Sequence, residues 1–422
     1  MTKNHRDRNN SIRTNRTSAF VLYANASSLL DNTNGASKSI RLILEALADH
    51  QCLVHAVMGC TSDCKEGFKK NQSIWLKKVT KNKDQKLKRF KQNHVNYSLV
   101  ATDHWSRRYV AADEQEIIYR ESVKLIKSAE HKFENKILIG WGNLLLEEAI
   151  FRCARQHGFK TFFYLANPTY KGKNNQTIEL SSLIISDSMA TKKLYQDEIK
   201  SKILVLPKCI EPPLSQQTAK ERWAKQNITF VNPKPEKGFE ALLTIANILC
   251  IRESSITIQI ADPANKLNDS LNQLGLQKSA LPKNVNVVGA FTDTDSLLSD
   301  TSCLLLLSLW HESGSRLIHE CHLRGIPVLG FATGGTTELL SQHANDLFPK
   351  PITIKNQKKI IKIREWDCNE MVERILLLLT NFQYYDTYSQ DLIEKSKDLY
   401  NHNSQAAKMI LNALIKDLDS DT

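Results

Sequence analysis

Leu304 to Leu340 reads LLLLSLWHESGSRLIHECHLRGIPVLGFATGGTTELL, and the fold turns on how this stretch is read. Cys303 to Leu307 is an unbroken apolar run, too short to cross a bilayer and of the right length for a buried parallel strand. Trp310 to Ser315 make a polar loop. Arg316 to Arg324 predict a helix with apolar Leu317, Ile318, Cys321 and Leu323, stopped by Gly325. Ile326 to Phe331 is a second buried strand, closed by Gly334-Gly335. In a strand, loop, helix, strand unit of this kind a ligand is expected beyond the carboxyl end of the first strand, which carries Glu312. The free amides of Ser313, Gly314, Ser315 and Arg316, at the positive end of the helix dipole, suit a phosphate. Glu320 follows Glu312 by eight residues and leans back toward the helix N-terminus, so both carboxylates can border one pocket. Two acids at this spacing are common on solvated helix ends, and it is the surrounding sequence that gives them weight.

That sequence resembles the donor-site signature of the GT-B nucleotide-sugar glycosyltransferases, in particular the retaining group called glycosyltransferase family four. The pattern E-x7-E, helix, G-I-P-V-L and G-G-x-x-E is met by Glu312, Glu320, Gly325 to Leu329, and Gly334, Gly335 and Glu338. The resemblance implies two Rossmann-like α/β domains facing each other across a cleft. It also implies a last helix that crosses back to the first domain.

Composition is consistent with that size and class. The chain has 422 residues and 41% hydrophobic content, enough for two or three cores. No apolar run of about 18 residues and no apolar leader is present, so a cytoplasmic protein is expected, possessing neither spanning helix nor secretory signal. Nine irregularly spaced cysteines fit reduced thiols rather than a disulfide framework. Cys60 and Cys64 have no second His/Cys pair of matching spacing, so no metal and no cofactor is expected. The net charge of +12 is concentrated in two places. Residues 1–16 carry five Lys/Arg and one acid, and residues 65–94 carry eleven Lys/Arg and two acids. The second block reads either as a solvated loop or as a basic lip for an anionic membrane surface, a lipid-diphosphate or an acidic glycan. Sparse aromatic residues and the lack of a base-reading motif argue against nucleic acid.

Outward from the deciding stretch, residues 1–17 read as a disordered basic tail and residues 18–207 as an amino-terminal Rossmann-like acceptor domain. Phe20 to Ala24 is its first strand, followed by a loop with Gly35 and a helix from Lys38 to Leu47; by resemblance Gly35 faces the interdomain cleft. Lys65 to Lys91 interrupts the alternation. Where relatives place a His near the sugars this chain has Ala166-Asn167, with His104 as a substitute from another loop. Asp187-Ser188 caps a helix from Met189 to Tyr195. Residues 208–227 read as the linker, 228–390 as the donor domain and 391–422 as the crossing helix. In the donor domain, relatives carry an Arg and a Lys five apart for the donor diphosphate; Lys237 matches the Lys, but Asn232 stands for the Arg. Lys234 or Arg316 is the candidate to supply the missing charge. Asp293-Thr294-Asp295 resembles a metal-binding D-x-D, yet it stands where a cap is needed for the helix that follows.

The resemblance thus implies a metal-independent retaining transferase. It would move sugar from a nucleotide-diphosphate donor to a glycan, lipid-linked or other hydroxyl acceptor in polysaccharide biosynthesis. Glu312 would border the sugar as the catalytic carboxylate, Glu320 would take the donor ribose hydroxyls, and Lys237 with residues 313–316 would take the diphosphate. The competing reading is a catalytically silent nucleotide-sugar or glycan-binding module of an assembly complex.

Overall fold

A computed structural model of the chain describes residues 19–31, 34–77, 86–166, 168–214, 216–289, 291, 293–351, 354, 355, 361, 362 and 368–416. The basic tail, residues 78–85 of the basic segment and Asn167 lie outside the described residues. The first sheet contains β1 (Phe20–Ser27), β2 (Leu53–Thr61), β3 (Leu87–Gln92), β4 (Val95–Val100), β5 (Lys136–Gly140), β6 (Lys160–Leu165), β7 (Leu183–Ser186) and β8 (Lys202–Val205). Their order is β3-β4-β2-β1-β5-β6-β7-β8, parallel except where β3 turns back on β4. All eight residues of β1 are buried, and alternate ones serve two cores: Val21 and Tyr23 on one face, Phe20 and Leu22 on the other. Because helices cover both faces, such a strand reads as continuous apolar sequence rather than as an alternation.

β1 has β2 on one side and β5 on the other, so the chain reverses its direction of travel across the sheet there. The crevice outside those two carboxyl ends is where an open α/β sheet takes ligands. The second sheet repeats the plan with β9 (Asn227–Val231), β10 (Thr257–Ala261), β11 (Val285–Val288), β12 (Cys303–Leu306), β13 (Val328–Phe331) and β14 (Leu347–Phe348). It is parallel throughout, in the order β11-β10-β9-β12-β13-β14. Its reversal falls between β9 and β12, which places the loops Asn232–Gly238 and Leu307–Ser315 side by side.

The structure departs from the sequence expectation at the basic segment and at the helix after the glycine loop. The basic segment is not a plain interruption: it forms a helix, Lys65–Lys77, and the edge strand β3. Phe68, Ile74 and Trp75 pack that helix on the first core, and Phe90 of β3 stacks on Tyr97 at 5.1 Å. The charges mask an apolar stripe, and lysines are suited to a sheet edge because they discourage pairing with another chain. The helix after the glycine loop begins at Gly35 itself, because Asn34 caps it by accepting the Ser37 N–H at 2.9 Å. Farther along, Phe382, Tyr384 and Tyr385 lie within a helix, Phe382–Lys395, capped by Asn381 and anchored where Tyr385 donates to the Ser302 carbonyl at 2.8 Å.

The last described helix, His402–Lys416, leaves the second sheet and returns to the first. Ala406, Ala407, Ile410 and Leu414 recur at helical spacing and complete the core that contains Val21 and Tyr23. Asn403 ties the crossing down, accepting the Ile210 N–H at 3.0 Å and donating to its carbonyl at 2.9 Å. Ile410 is fully buried, so Ile410→Ala should destabilise the protein by about 2–5 kcal/mol. A denaturant melt followed by circular dichroism measures it, and an unchanged midpoint would show that the crossing helix contributes no core.

Candidate functional site

Gly238 sets the geometry of the second-domain wall. It ends the loop after β9 at φ 82°, and a Cβ there would collide with the Leu307 carbonyl of the loop after β12. Only glycine lets the two loops approach so closely, and the approach puts Lys237 against Glu312. Gly334 works in the same way from the other side: at φ 51° it lies flat on the Glu312 backbone, and the next amide, Gly335 N–H, donates to the Glu312 carbonyl at 2.6 Å.

Glu312 is held from three directions. Lys237 pairs with its Oε1, the Ser308 hydroxyl donates to the same oxygen, and the Trp310 indole N–H donates at 2.9 Å. Burial pushes the carboxyl up, but Lys237 and these donors outweigh it and hold Glu312 below the usual carboxylate range. Lys237 Nζ also stands 4.8 Å from the centre of the Trp310 ring. Glu320 is 1% exposed. Its Oε1 accepts from Lys38 at 3.2 Å and Arg316 at 3.4 Å, while its buried Oε2 has no hydrogen-bond partner among the described residues. Burial again pushes this carboxyl up, and Arg316 and Lys38 pull it below the ordinary value.

These groups border one cleft of about 590 Å³ between the two sheets. Nine of the residues singled out from the sequence line it: Gly35, Asn232, Lys237, Glu312, Ser313, Gly314, Ser315, Arg316 and Glu320. Lys234 and His104 are not among the lining residues. The His104 ring stacks on Trp105, which does line the cleft, and its Nδ1 accepts the Ser106 N–H at 3.0 Å. Asp293 caps the helix Thr294–Leu298, its carboxylate accepting the Ser296 N–H at 2.7 Å.

The first-domain wall holds charged groups that sequence spacing did not flag. Asp31 and Asp63 come from the loops after β1 and β2, Arg107 and Arg108 from the loop after β4, and Asp187 and Lys208 from the ends of β7 and β8. No linear motif joins them; the sheet order alone brings them together. Asp187 does not cap the following helix, a task left to Ser188, and instead accepts from the Tyr164 hydroxyl at 2.7 and 2.8 Å and pairs with Lys208. Across the cleft mouth Glu338, the last residue of G-G-x-x-E, accepts the Met189 and Ala190 N–H groups, each at 3.2 Å. His311 and Thr191 share a hydrogen bond of 3.1 Å beside it.

Beneath this wall Glu147 is fully buried, 3.6 Å from Arg107, and accepts the Leu144 N–H at 2.8 Å. Burial pushes its carboxyl up to about 7 against the pull of Arg107 and that amide. The folded state therefore holds a proton that the unfolded chain releases near its ordinary carboxyl value. That contribution to stability is complete at low pH and is lost as pH rises from about 4.5 through about 7. Relative to Glu147→Gln, the wild type should lose melting temperature across this window and run parallel to it above pH 8. Thermal melts at half-unit pH intervals test this, and a constant difference from pH 4.5 to 8 would contradict it.

A scan of the sequence against protein-family models finds no match, and neither does a search of curated proteins. Solved structures do match over nearly the full length. Sucrose-phosphate synthase from Thermosynechococcus elongatus is similar with a TM-score of 0.63 at 14% identity, over 96% of this chain and 100% of that one. Anabaena HepE in complex with UDP-glucose gives 0.62 at 15% identity, over 95% and 99%. Trehalose-6-phosphate synthase OtsA gives 0.57 at 14%, over 94% and 98%. The chain has the GT-B fold: two Rossmann-like α/β domains facing each other across a cleft.

Proposed function

We propose that the cleft binds a nucleoside-diphosphate sugar and passes the sugar, with retention at the anomeric carbon, to a hydroxyl of a glycan or lipid-linked acceptor. The observation that carries this reading is the convergence of Glu312, Glu320 and Lys237 on one cleft at the facing switch points of two sheets. HepE, similar in fold, has been solved with UDP-glucose. The anion that leaves when the glycosidic bond breaks is a nucleoside diphosphate, so positive charge is needed where it departs. Lys237 and Arg316 line that part of the cleft, and each is now paired to a glutamate. Asn232 adds a neutral donor but no charge, which makes Arg316 the second cation.

Ser308 and Trp310 still hold the Glu312 carboxylate in place when Lys237 turns to phosphate. It orients a sugar hydroxyl and stabilises positive charge developing on the ring. Glu320 takes ribose hydroxyls. The bond from the anomeric carbon to the β-phosphate oxygen breaks while the acceptor oxygen bonds to that carbon on the same face. The departing phosphate oxygen takes the acceptor proton, so no separate base and no metal is assigned. The same geometry without turnover would serve a silent nucleotide-sugar-binding module, a reading that Asn232 favours through its missing charge.

Glu312→Gln should keep its melting temperature within a few degrees, keep donor binding, and lose at least about a hundredfold in transfer or slow donor hydrolysis. Thermal shift and nucleotide release across a panel of nucleotide sugars read this. Wild type that binds a sugar donor and never releases nucleotide would establish the silent module instead.

We further propose an anionic membrane surface as a docking partner, reached through residues 65–94. No described helix is long and apolar enough to cross a membrane. On the helix Lys65–Lys77, exposed Lys65, Lys69 and Lys77 accompany Leu76, which is 61% exposed. Several other cations there are already engaged, Arg89 with Glu121 and Lys86 with Asp113. Reversing Lys69 and Lys77 to Glu should abolish flotation with liposomes rich in anionic lipid, and flotation indifferent to lipid charge would dismiss this role.

A further inference from the structure

We propose that Lys38, on the first-domain helix Gly35–Asp49, is a positioning residue for Glu320 across the domain boundary. Through it, recognition of the donor ribose depends on contact between the two domains. The inference rests on the reading of Glu320 as the ribose-binding carboxylate.

Lys38 is 2% exposed, a burial that an ammonium tolerates only when fully partnered. Its Nζ donates to Thr294 Oγ1 at 2.8 Å and to Glu320 Oε1 at 3.2 Å, and pairs with Glu211 Oε2 at 2.8 Å. Three donors thus meet three acceptors, none of them on the first domain's own elements: two belong to the second domain and one to the connection between them. Glu320 is the complement. Lys38 and Arg316 grip one oxygen, and the Arg324 guanidinium donates to its backbone carbonyl at 2.7 Å. The other oxygen is buried at the cleft without a hydrogen-bond partner among the described residues. A carboxylate accepts and never donates, so that oxygen calls for a ligand's hydroxyl, and the grip on its twin fixes where the hydroxyl must lie. With Lys38 withdrawn, the carboxylate is free to swing toward Arg316.

A lysine that only glues the domains together would not alter which ligand is preferred. Arg41 supplies the comparison: one turn further along the same helix, it also pairs with Glu211. The test measures, by calorimetry on the full chain, the affinities of UDP and GDP and of their 2′,3′-dideoxy forms. Wild type should prefer a ribose form by roughly tenfold or more. In Lys38→Met the preference should fall to near unity, the ribose form binding no better than the dideoxy form, whereas Arg41→Met should retain it. Should Lys38→Met fail to fold, Lys38→Arg keeps the charge but misplaces the nitrogen, and its preference should shrink as well. Wild type that binds neither nucleotide, or does not distinguish ribose from dideoxyribose, overturns the donor reading and this inference with it. If wild type discriminates and the Lys38 variants discriminate equally, or Arg41→Met loses discrimination to the same degree, the positioning role alone is overturned.

Discussion

The contact between the Gly238 backbone and the Leu307 carbonyl is the constraint on which the site depends. β9 and β12 are adjacent in the second sheet, but adjacency alone would leave their loops to diverge above it. A side chain at 238 would push them apart, separating an ammonium from the carboxylate it meets. From that closeness follow the Lys237–Glu312 pair, the ring of Trp310 beneath the lysine, and the flat seat on which Gly334 and Gly335 lie. Residues far apart in sequence are thus brought together by a backbone contact rather than by side-chain attraction.

Three ion pairs at the cleft each join two different elements. Lys237 and Glu312 join two loops of one sheet; Lys38 and Glu320 join two domains; Asp187 and Lys208 join the ends of two strands. Buried ion pairs of this kind contribute little net stability, since desolvation offsets most of the attraction, but they penalise misplacement heavily. The cleft wall therefore keeps its shape while remaining polar enough to receive a charged ligand.

The second domain was largely legible because its motif is local. Glu312 and Glu320 sit on one loop and the helix after it, and the glycines near them are demanded by backbone clashes that leave a mark in the letters. Lys237 was legible from resemblance, with Gly238 as its physical reason. The first-domain wall was not. Asp31, Asp63, Arg107 and Lys208 come from four separate strand ends, and only the order of strands puts them in one place. The helix Lys65–Lys77 was hidden for another reason: its few apolar anchors are spaced correctly, but the lysines around them dominate the composition. Lys38 looked like the first residue of an amphipathic helix, and nothing local shows that its partners lie more than 170 residues downstream.

The returning helix has a consequence for biogenesis. The core built on β1 lacks Ala406, Ala407, Ile410 and Leu414 until the strands of the second sheet have all left the ribosome. During synthesis, residues 20–205 must wait with an open apolar groove while the second sheet assembles, and the amino-terminal half is sealed last. Order of translation and order of completion therefore run in opposite directions for this half of the molecule, and a chaperone that shields the groove would act during that interval.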